Sequence, residues 1–471
     1  MGGLVFLSAE EMVGKIRKKE ISPVELIEAH LARIDRLNPQ LNAIISLDPD
    51  RVRREARRAE EALSRGAAAG SLHGVPVTIK SCIDVAGHRC EAGSKLRQGN
   101  VPALDAPLVA RLRAAGAIIL GTTNVAEMLM AYETDNPLYG RTNNPWALER
   151  TPGGSSGGEA AAIAGGLSAA GVGSDGGGSV RVPAHFSGIC GLKPTPGRIP
   201  SSGHYPPGLG PFAWLGVVGP MARKVHDLKL LFEVMAGPHR DDPCAAPIPV
   251  RWRREEELRR LRVGYFEDDG CTPVTPETRA AVRTAAEALR RAGFQVAPFR
   301  PEGLEEARGL WGQFFAKGSA MLLRPLMGGR EAHLPILKEF AESGPDSTPL
   351  TAESLFQIMI ERDQLRARFL AQMEEYPILL CPVCALPAFR HGERRWTIDG
   401  KVVGYLDATR YSQWFNLLGN PAAVVPVASA EGLPIAVQVV GRPFEDEVVL
   451  AVAGRIEQEL GDQVPRFLDT V

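Results

Sequence analysis

Between Thr151 and Arg181 the chain reads TPGGSSGGEAAAIAGGLSAAGVGSDGGGSVR, two glycine-walled serine clusters joined by a segment of small residues. Glycine loses more backbone entropy on ordering than any other residue, so such clusters mean that the backbone turns sharply or is approached closely there. What they present is serine. Gly176, Gly177 and Gly178, followed by Ser179, can aim successive N–H groups into one concavity, a nest for a developing oxyanion beside the Ser179 hydroxyl. A serine hydroxyl is a poor nucleophile at neutral pH and needs a base within hydrogen-bond reach. No histidine lies in the stretch just before these serines. The candidate base is Lys80, which ends the apolar run Val75-Pro-Val-Thr-Ile-Lys80, a buried strand by pattern, with Ser155 as a proton bridge. To act as a base Lys80 must be neutral, and an unperturbed lysine titrates at about 10.4, so burial has to bring it down.

The three residues stand in register: Lys80 inside GVPVTIK, Ser155 inside PGGSSGGE 75 residues on, and Ser179 inside GSDGGGSVR after 24 more. In this the chain resembles the amidase signature family of serine amidohydrolases. The likeness continues through Pro183 to Pro196 and Gly216 to Met221, and more weakly to both termini. It implies catalysis by Lys80, Ser155 and Ser179 through a covalent acyl-enzyme, with no metal and no cofactor, and a cis peptide before Ser155. It also places Asp175 and Arg181 beside the oxyanion loop, where their simplest job is to pair and hold it. The segment Met128 to Gly140 resembles the stretch that lines the family's acyl site, making Leu129, Met130 and Tyr132 candidates for the substrate pocket. Lys80 is followed by Ser81-Cys82 where many relatives carry Asp.

Within the family the texture is nearest to fatty acid amide hydrolases, through Thr123-Asn-Val125, Tyr132, Asn136-Pro-Leu-Tyr-Gly140 and Leu261-Arg-Val-Gly-Tyr265. The membrane equipment departs from that likeness. No apolar stretch approaches 18 residues, and Glu302 to Glu342 is not a long basic amphipathic cap. The N-terminus MGGLVFLSAEEM has no basic n-region, so a cytoplasmic chain without stable membrane insertion is expected. Charge is balanced, with 54 Lys and Arg against 55 Asp and Glu, which leaves no electrostatic footprint for nucleic acid. The expected partner is a small-molecule amide, with a homodimer allowed. Seven scattered cysteines fit reduced thiols. Cys381-Pro-Val-Cys384 is a CxxC, but it lacks a second ligand pair at zinc spacing and reads as a buried strand end.

Ser22-Pro23-Val-Glu25 is a capping box that opens a helix to about Asn38, and a charged helix spans about Arg51 to Arg65. After the Lys80 strand come a helix near Ala106 to Ala115, a strand near Ala117 to Gly121 and a short helix from Val125. Leu261 to Phe266, a helix opened by Thr275-Pro276-Glu277, and Phe294 to Phe299 form a βαβ unit. The end returns to the sheet at Pro377 to Cys381, Ala422 to Val427 and Ile435 to Val440, with a closing helix from Glu445 to Leu460. Glu302 to about Tyr376 reads as mainly helical, broken by a loop from Gly344 to Pro349. Alternation of this kind implies a buried, largely parallel sheet. The expected fold is a single α/β domain over 1–471, an α/β/α sandwich with a mixed, largely parallel central sheet covered by helices. Its signature core spans 71–240, and 240–375 is a variable, mainly helical insertion.

Two other motifs compete for the same residues. Gly153-Gly-Ser155-Ser-Gly157 satisfies GxSxG, which would make Ser155 the nucleophile with a histidine such as His333 or His391. It leaves Lys80 and Ser179 unexplained, and Ser155 follows Pro152 instead of a strand. Gly171-Val-Gly173-Ser-Asp-Gly176 satisfies GxGxxG, but no acidic residue for a ribose lies between Asp175 and Asp227, and no convincing helix opens at these glycines.

The substrate class follows from the flanks: Met128, Leu129, Met130 and Tyr132 precede the first serine loop, and Phe212, Ala213, Trp214 and Leu215 follow the second. From Thr151 to His226 the only acids are Glu159 and Asp175, too few to pair a free amino acid's ammonium in a dry pocket. Apolar or aryl amides, and by chemical likeness esters or carbamates, are therefore expected. The alternative is the A subunit of a glutamyl-tRNA amidotransferase, a glutaminase acting within a complex.

Overall fold

Strands with no polar face need cover on both sides. Among the strands buried at every residue are β2 (Pro76–Lys80), β3 (Ile118–Thr123), β4 (Ala170–Asp175), β5 (Cys190–Lys193), β6 (Val217–Ala222) and β9 (Ile378–Pro382). In the computed structural model, which describes residues 3–66, 69–318 and 350–461, they belong to one eleven-stranded sheet. Its other members are β1 (Ile44–Leu47), β7 (Arg262–Tyr265), β8 (Gln295–Pro298), β12 (Ala422–Ala430) and β13 (Leu433–Gly441). A separate hairpin pairs β10 (Arg395–Ile398) with β11 (Lys401–Gly404). The order across the sheet is β1-β3-β2-β4-β6-β5-β12-β13-β9-β7-β8. The sheet is mixed, and its parallel character sits in two blocks, β3-β2-β4 and β9-β7-β8. Antiparallel pairs join the blocks through β6, β5, β12 and β13.

Helix starts follow the local chemistry. Ser22 and Glu25 close the capping box of the helix Pro23–Leu41, and Asp48 caps Pro49–Ser64. These two helices cover the outer face of β1 and β3 with their own apolar cluster. The larger core runs unbroken from the N-terminal helix Ala9–Arg17 to the closing helix Asp446–Leu460. Between the two serine loops lies the helix Gly157–Ala164, buried along its whole length. Its small residues permit close approach: a Cβ on Gly158 would collide with the backbone of Asn124.

The βαβ unit is present, with the helix Pro276–Arg291 between the parallel strands β7 and β8. Although it lies within 240–375, it extends the central sheet and is not a helical appendage. Thr275 precedes that helix without capping it, because its hydroxyl pairs with Thr278 at 2.9 Å. The helices Leu304–Gly312 and Ala352–Glu375 follow, while the expected loop from Gly344 to Pro349, and His333, lie outside the described residues. The short helix expected from Val125 is instead a three-residue turn, Glu127–Leu129. Met128 and Leu129 have φ of 51° and 66°, and the Met128 amide donates to Ala92 O at 2.8 Å, so no helix propagates. Among the described residues no helix is long and apolar enough to cross a membrane.

Candidate active site

β2 ends at Lys80, beside its parallel neighbour β4, and the fully buried amine meets two serines there. Lys80 Nζ donates to Ser155 Oγ at 2.8 Å, to Ser174 Oγ at 3.0 Å and to Ser174 O at 3.3 Å. Burial pulls Lys80 down to about 8, against the opposing pull of Cys82, Asp175 and Glu159. Ser155 stands in the turn before the helix Gly157–Ala164, and the Gly154–Ser155 peptide is cis. The two serine loops are tied to each other by the Ser156 amide, which donates to Ser179 O at 3.3 Å. Both Ser155 and Ser179 line one cavity, Ser155 fully buried and Ser179 9% exposed.

The loop that carries Ser179 is held by a buried ion pair. Arg181 opens the short helix Arg181–Ser187, and its Nε and Nη2 each donate to Asp175, which ends β4, at 3.0 Å. Arg181 also donates to Gln438 Oε1 at 3.1 Å and to Asn416 Oδ1. Burial alone would raise the Asp175 carboxyl, but Arg181 holds it below the usual carboxylate range. The same carboxylate accepts the amides of Gly178 at 2.7 Å, Val180 at 3.1 Å and Arg181 at 3.3 Å. Gly178, expected in the oxyanion nest, is thus corrected: its N–H is committed to Asp175. The amides of Gly176, Gly177 and Ser179 donate no hydrogen bond among the described residues.

Behind this loop stands Tyr132, which the sequence placed in the pocket. It is 4% exposed, donates from its hydroxyl to Gly177 O at 2.9 Å, and accepts from Gln413 Nε2 at 3.1 Å. It braces the loop and does not line the cavity. Trp311 roofs the loop, donating from Nε1 to Gly176 O at 3.2 Å, and a Cβ on Gly177 would fall 2.5 Å from Trp311 Cζ2. The cavity is walled on its apolar side by Met128, Leu129, Met130, Phe212, Leu215 and Phe315. Trp214, expected near it, instead stacks under Arg362 at 5.3 Å.

Several neighbours of the site were not anticipated. Glu159 accepts from Thr123 Oγ1 at 2.8 Å and from Thr78 Oγ1, and burial pushes its carboxyl up to about 8. Ser174 meets Lys80, Cys82 meets Ser174, and His204 meets Cys82. Ser174 had no clear signal in the sequence, because the glycines of β4 obscure the strand that carries it. His204, in a distant loop, had none. No described histidine bonds Ser155, as GxSxG would require; the amide of His391 donates to Glu149 O at 3.1 Å. The GxGxxG residues lie largely within β4, not in a turn between strand and helix. Cys381 and Cys384 are both fully buried at the end of β9, and burial raises both thiols. Among the described residues one group could offer three atoms to a cation, Asp269, Cys271 and Glu305, and Arg410 already pairs with both of its carboxylates.

Comparison with known proteins agrees with this architecture. The Amidase family model matches residues 25–450. An indoleacetamide hydrolase of Bradyrhizobium diazoefficiens is 33% identical over 98% of this chain and 88% of its own length. The A subunit of a glutamyl-tRNA(Gln) amidotransferase from Roseiflexus castenholzii is 35% identical over 95% of this chain and 94% of its own. The structure of a fatty acid amide hydrolase superposes with a TM-score of 0.88 at 27% identity, covering 98% of this chain and 86% of that one. The chain belongs to the amidase family, hydrolases of amide carbon–nitrogen bonds.

Proposed function

We propose that this protein hydrolyses amides bearing apolar or aryl groups, with Ser179 as nucleophile, Ser155 as proton bridge and Lys80 as base. The observation that carries the reading is the 2.8 Å contact of buried Lys80 with Ser155 at an apolar cavity that Ser179 also lines. Neutral Lys80 takes the Ser155 proton while Ser155 takes that of Ser179. The Ser179 oxygen attacks the carbonyl carbon, and the negative charge on the carbonyl oxygen falls to the amides of Gly176, Gly177 and Ser179. The proton returns along the same path to the amine, which leaves, and the acyl-enzyme remains. Water then repeats the sequence as nucleophile, releasing the acid and restoring Ser179.

A second reading, glutamine hydrolysis within an amidotransferase complex, is favoured by the 35% identity to the Roseiflexus castenholzii protein. Against it stands the apolar wall of the cavity, which among the described residues offers no free Lys, Arg or carboxylate for the charged ends of an amino acid. The deciding experiment compares turnover of an aryl amide and of glutamine by the purified chain. Efficient glutamine hydrolysis with negligible aryl amide turnover would replace the first reading with the second.

A further inference from the structure

Lys80 has polar neighbours that the proton path through Ser155 leaves unused. Ser174 Oγ, 3.0 Å from Lys80 Nζ, lies 3.7 Å from Cys82 Sγ, which lies 3.4 Å from His204 Nε2. The other ring nitrogen, His204 Nδ1, sits 2.8 Å from Pro206 O. A carbonyl only accepts, so Nδ1 carries a proton and Nε2 of the neutral ring is free to take the thiol's. Cys82 is fully buried, whereas His204 and Ser174 line the same cavity as Ser179. Four side chains therefore run from the buried amine to the cavity wall.

Resting on the reading of Lys80 as base, we propose that Cys82 and His204 are positioning residues for it: the thiol passes its proton to His204 Nε2, and the thiolate keeps the buried amine basic. The S–H bond breaks, the Nε2–H bond forms, and a thiolate–imidazolium pair results with no change of oxidation state. The other charged groups around the amine are already occupied. Asp175, from β4, is neutralised by Arg181, and Glu159, from the helix Gly157–Ala164, is raised by burial to about 8 and is bonded by the hydroxyls of Thr78 and Thr123. On the far side of Cys82 stand Cys90, whose thiol burial pushes up, and Asp84 beside it. Directions at the pair agree: burial opposes the charge on both, yet His204 and Lys80 bring the Cys82 thiol below its ordinary value, and Cys82 brings His204 above its own. A base stripped of this counter-charge would be neutral at lower pH but would draw a proton less strongly.

The test is the pH profile of single-turnover acylation by an aryl amide, for the wild type and for Cys82→Ala, Cys82→Ser, His204→Gln and the Cys82→Ala/His204→Gln pair. The ascending limb should move to lower pH by about half a unit or more in each single variant, with the plateau rate down several-fold, and no further in the double, because the two residues act as one unit. The ultraviolet absorbance of a thiolate, read as wild type minus Cys82→Ala at neutral pH, should be present and should vanish in His204→Gln. Cys82→Ser keeps a hydrogen-bonding side chain but carries no charge. A normal limb in that variant, or no thiolate absorbance in the wild type, overturns the proposal. If Lys80→Ala retains the ascending limb, Lys80 is not the base and the proposal falls with that reading. If Lys80→Ala loses it while the Cys82 and His204 variants leave it in place, only the proposal falls.

Discussion

Arg181 and Asp175, both fully buried, face each other at 3.0 Å in a two-bonded fork that fixes the turn between β4 and the helix carrying Arg181. Removing one member leaves the other as an uncompensated buried charge, which typically costs about 3–5 kcal/mol. Arg181→Ala should lose roughly that much in urea unfolding. Loss of less than about 1 kcal/mol would show that the pair does not hold the loop. Because the folded Asp175 carboxyl titrates below its unfolded value, its contribution is intact above about pH 4 and fades as acid is added below that.

Ser179→Ala should abolish amide hydrolysis and labelling by a fluorophosphonate probe, with a loss of several orders of magnitude. Peptide mapping decides the role of the first serine: adduct on Ser155 would make that residue the nucleophile.

On the proposed mechanism acylation needs the neutral amine, so its rate should rise with pH and level off above about 8, where burial has brought Lys80. Lys80→Ala should erase this limb. It should also harm amides more than activated esters, since a phenolate leaves without a proton and an amine does not. Equal losses for both substrates would assign Lys80 a structural role.

Glu159 titrates in the opposite sense to Asp175. Its folded value is raised by burial to about 8, so the folded state holds a proton that the unfolded chain releases above about pH 4.3. Stability should therefore decline across that window as pH rises. Glu159→Gln, a neutral isostere, should remove Glu159's share of the decline. An unchanged stability-versus-pH curve would contradict the burial argument.

In a homologous series of anilides, kcat/KM should climb from acetyl to hexanoyl. Each methylene buried against Met128, Leu129 and Phe212 is worth about 0.8 kcal/mol, roughly fourfold. A flat series would mean that the acyl chain does not enter this cavity.

Much of this was readable from residue order alone. The strand ending at Lys80 and the capping box at Ser22 are local signals, and each lies within a residue or two of its expected place. The strand β4 was not legible, because Gly171 and Gly173 lower strand propensity. They are there because side chains cannot fit: a Cβ on Gly171 would strike the Glu159 carboxylate. Tyr132 was misplaced for a related reason. Its apolar neighbours Leu129 and Met130 do face the cavity, but its hydroxyl finds Gly177 O, a partner 45 residues away that no local pattern reveals. His204 meets Cys82 across 122 residues, and only the folded sheet brings them together.

The braces on the Ser179 loop come from far along the chain: Trp311 above it, then Gln413, Asn416 and Gln438 around Tyr132 and Arg181. A ribosome that has released residues 1–240 has made every residue assigned to the chemistry, yet none of these supports. On the proposed chemistry, order of synthesis would then act as a safety catch. On that chemistry a fragment ending near residue 240 should bind no serine-directed probe until the rest of the chain is supplied.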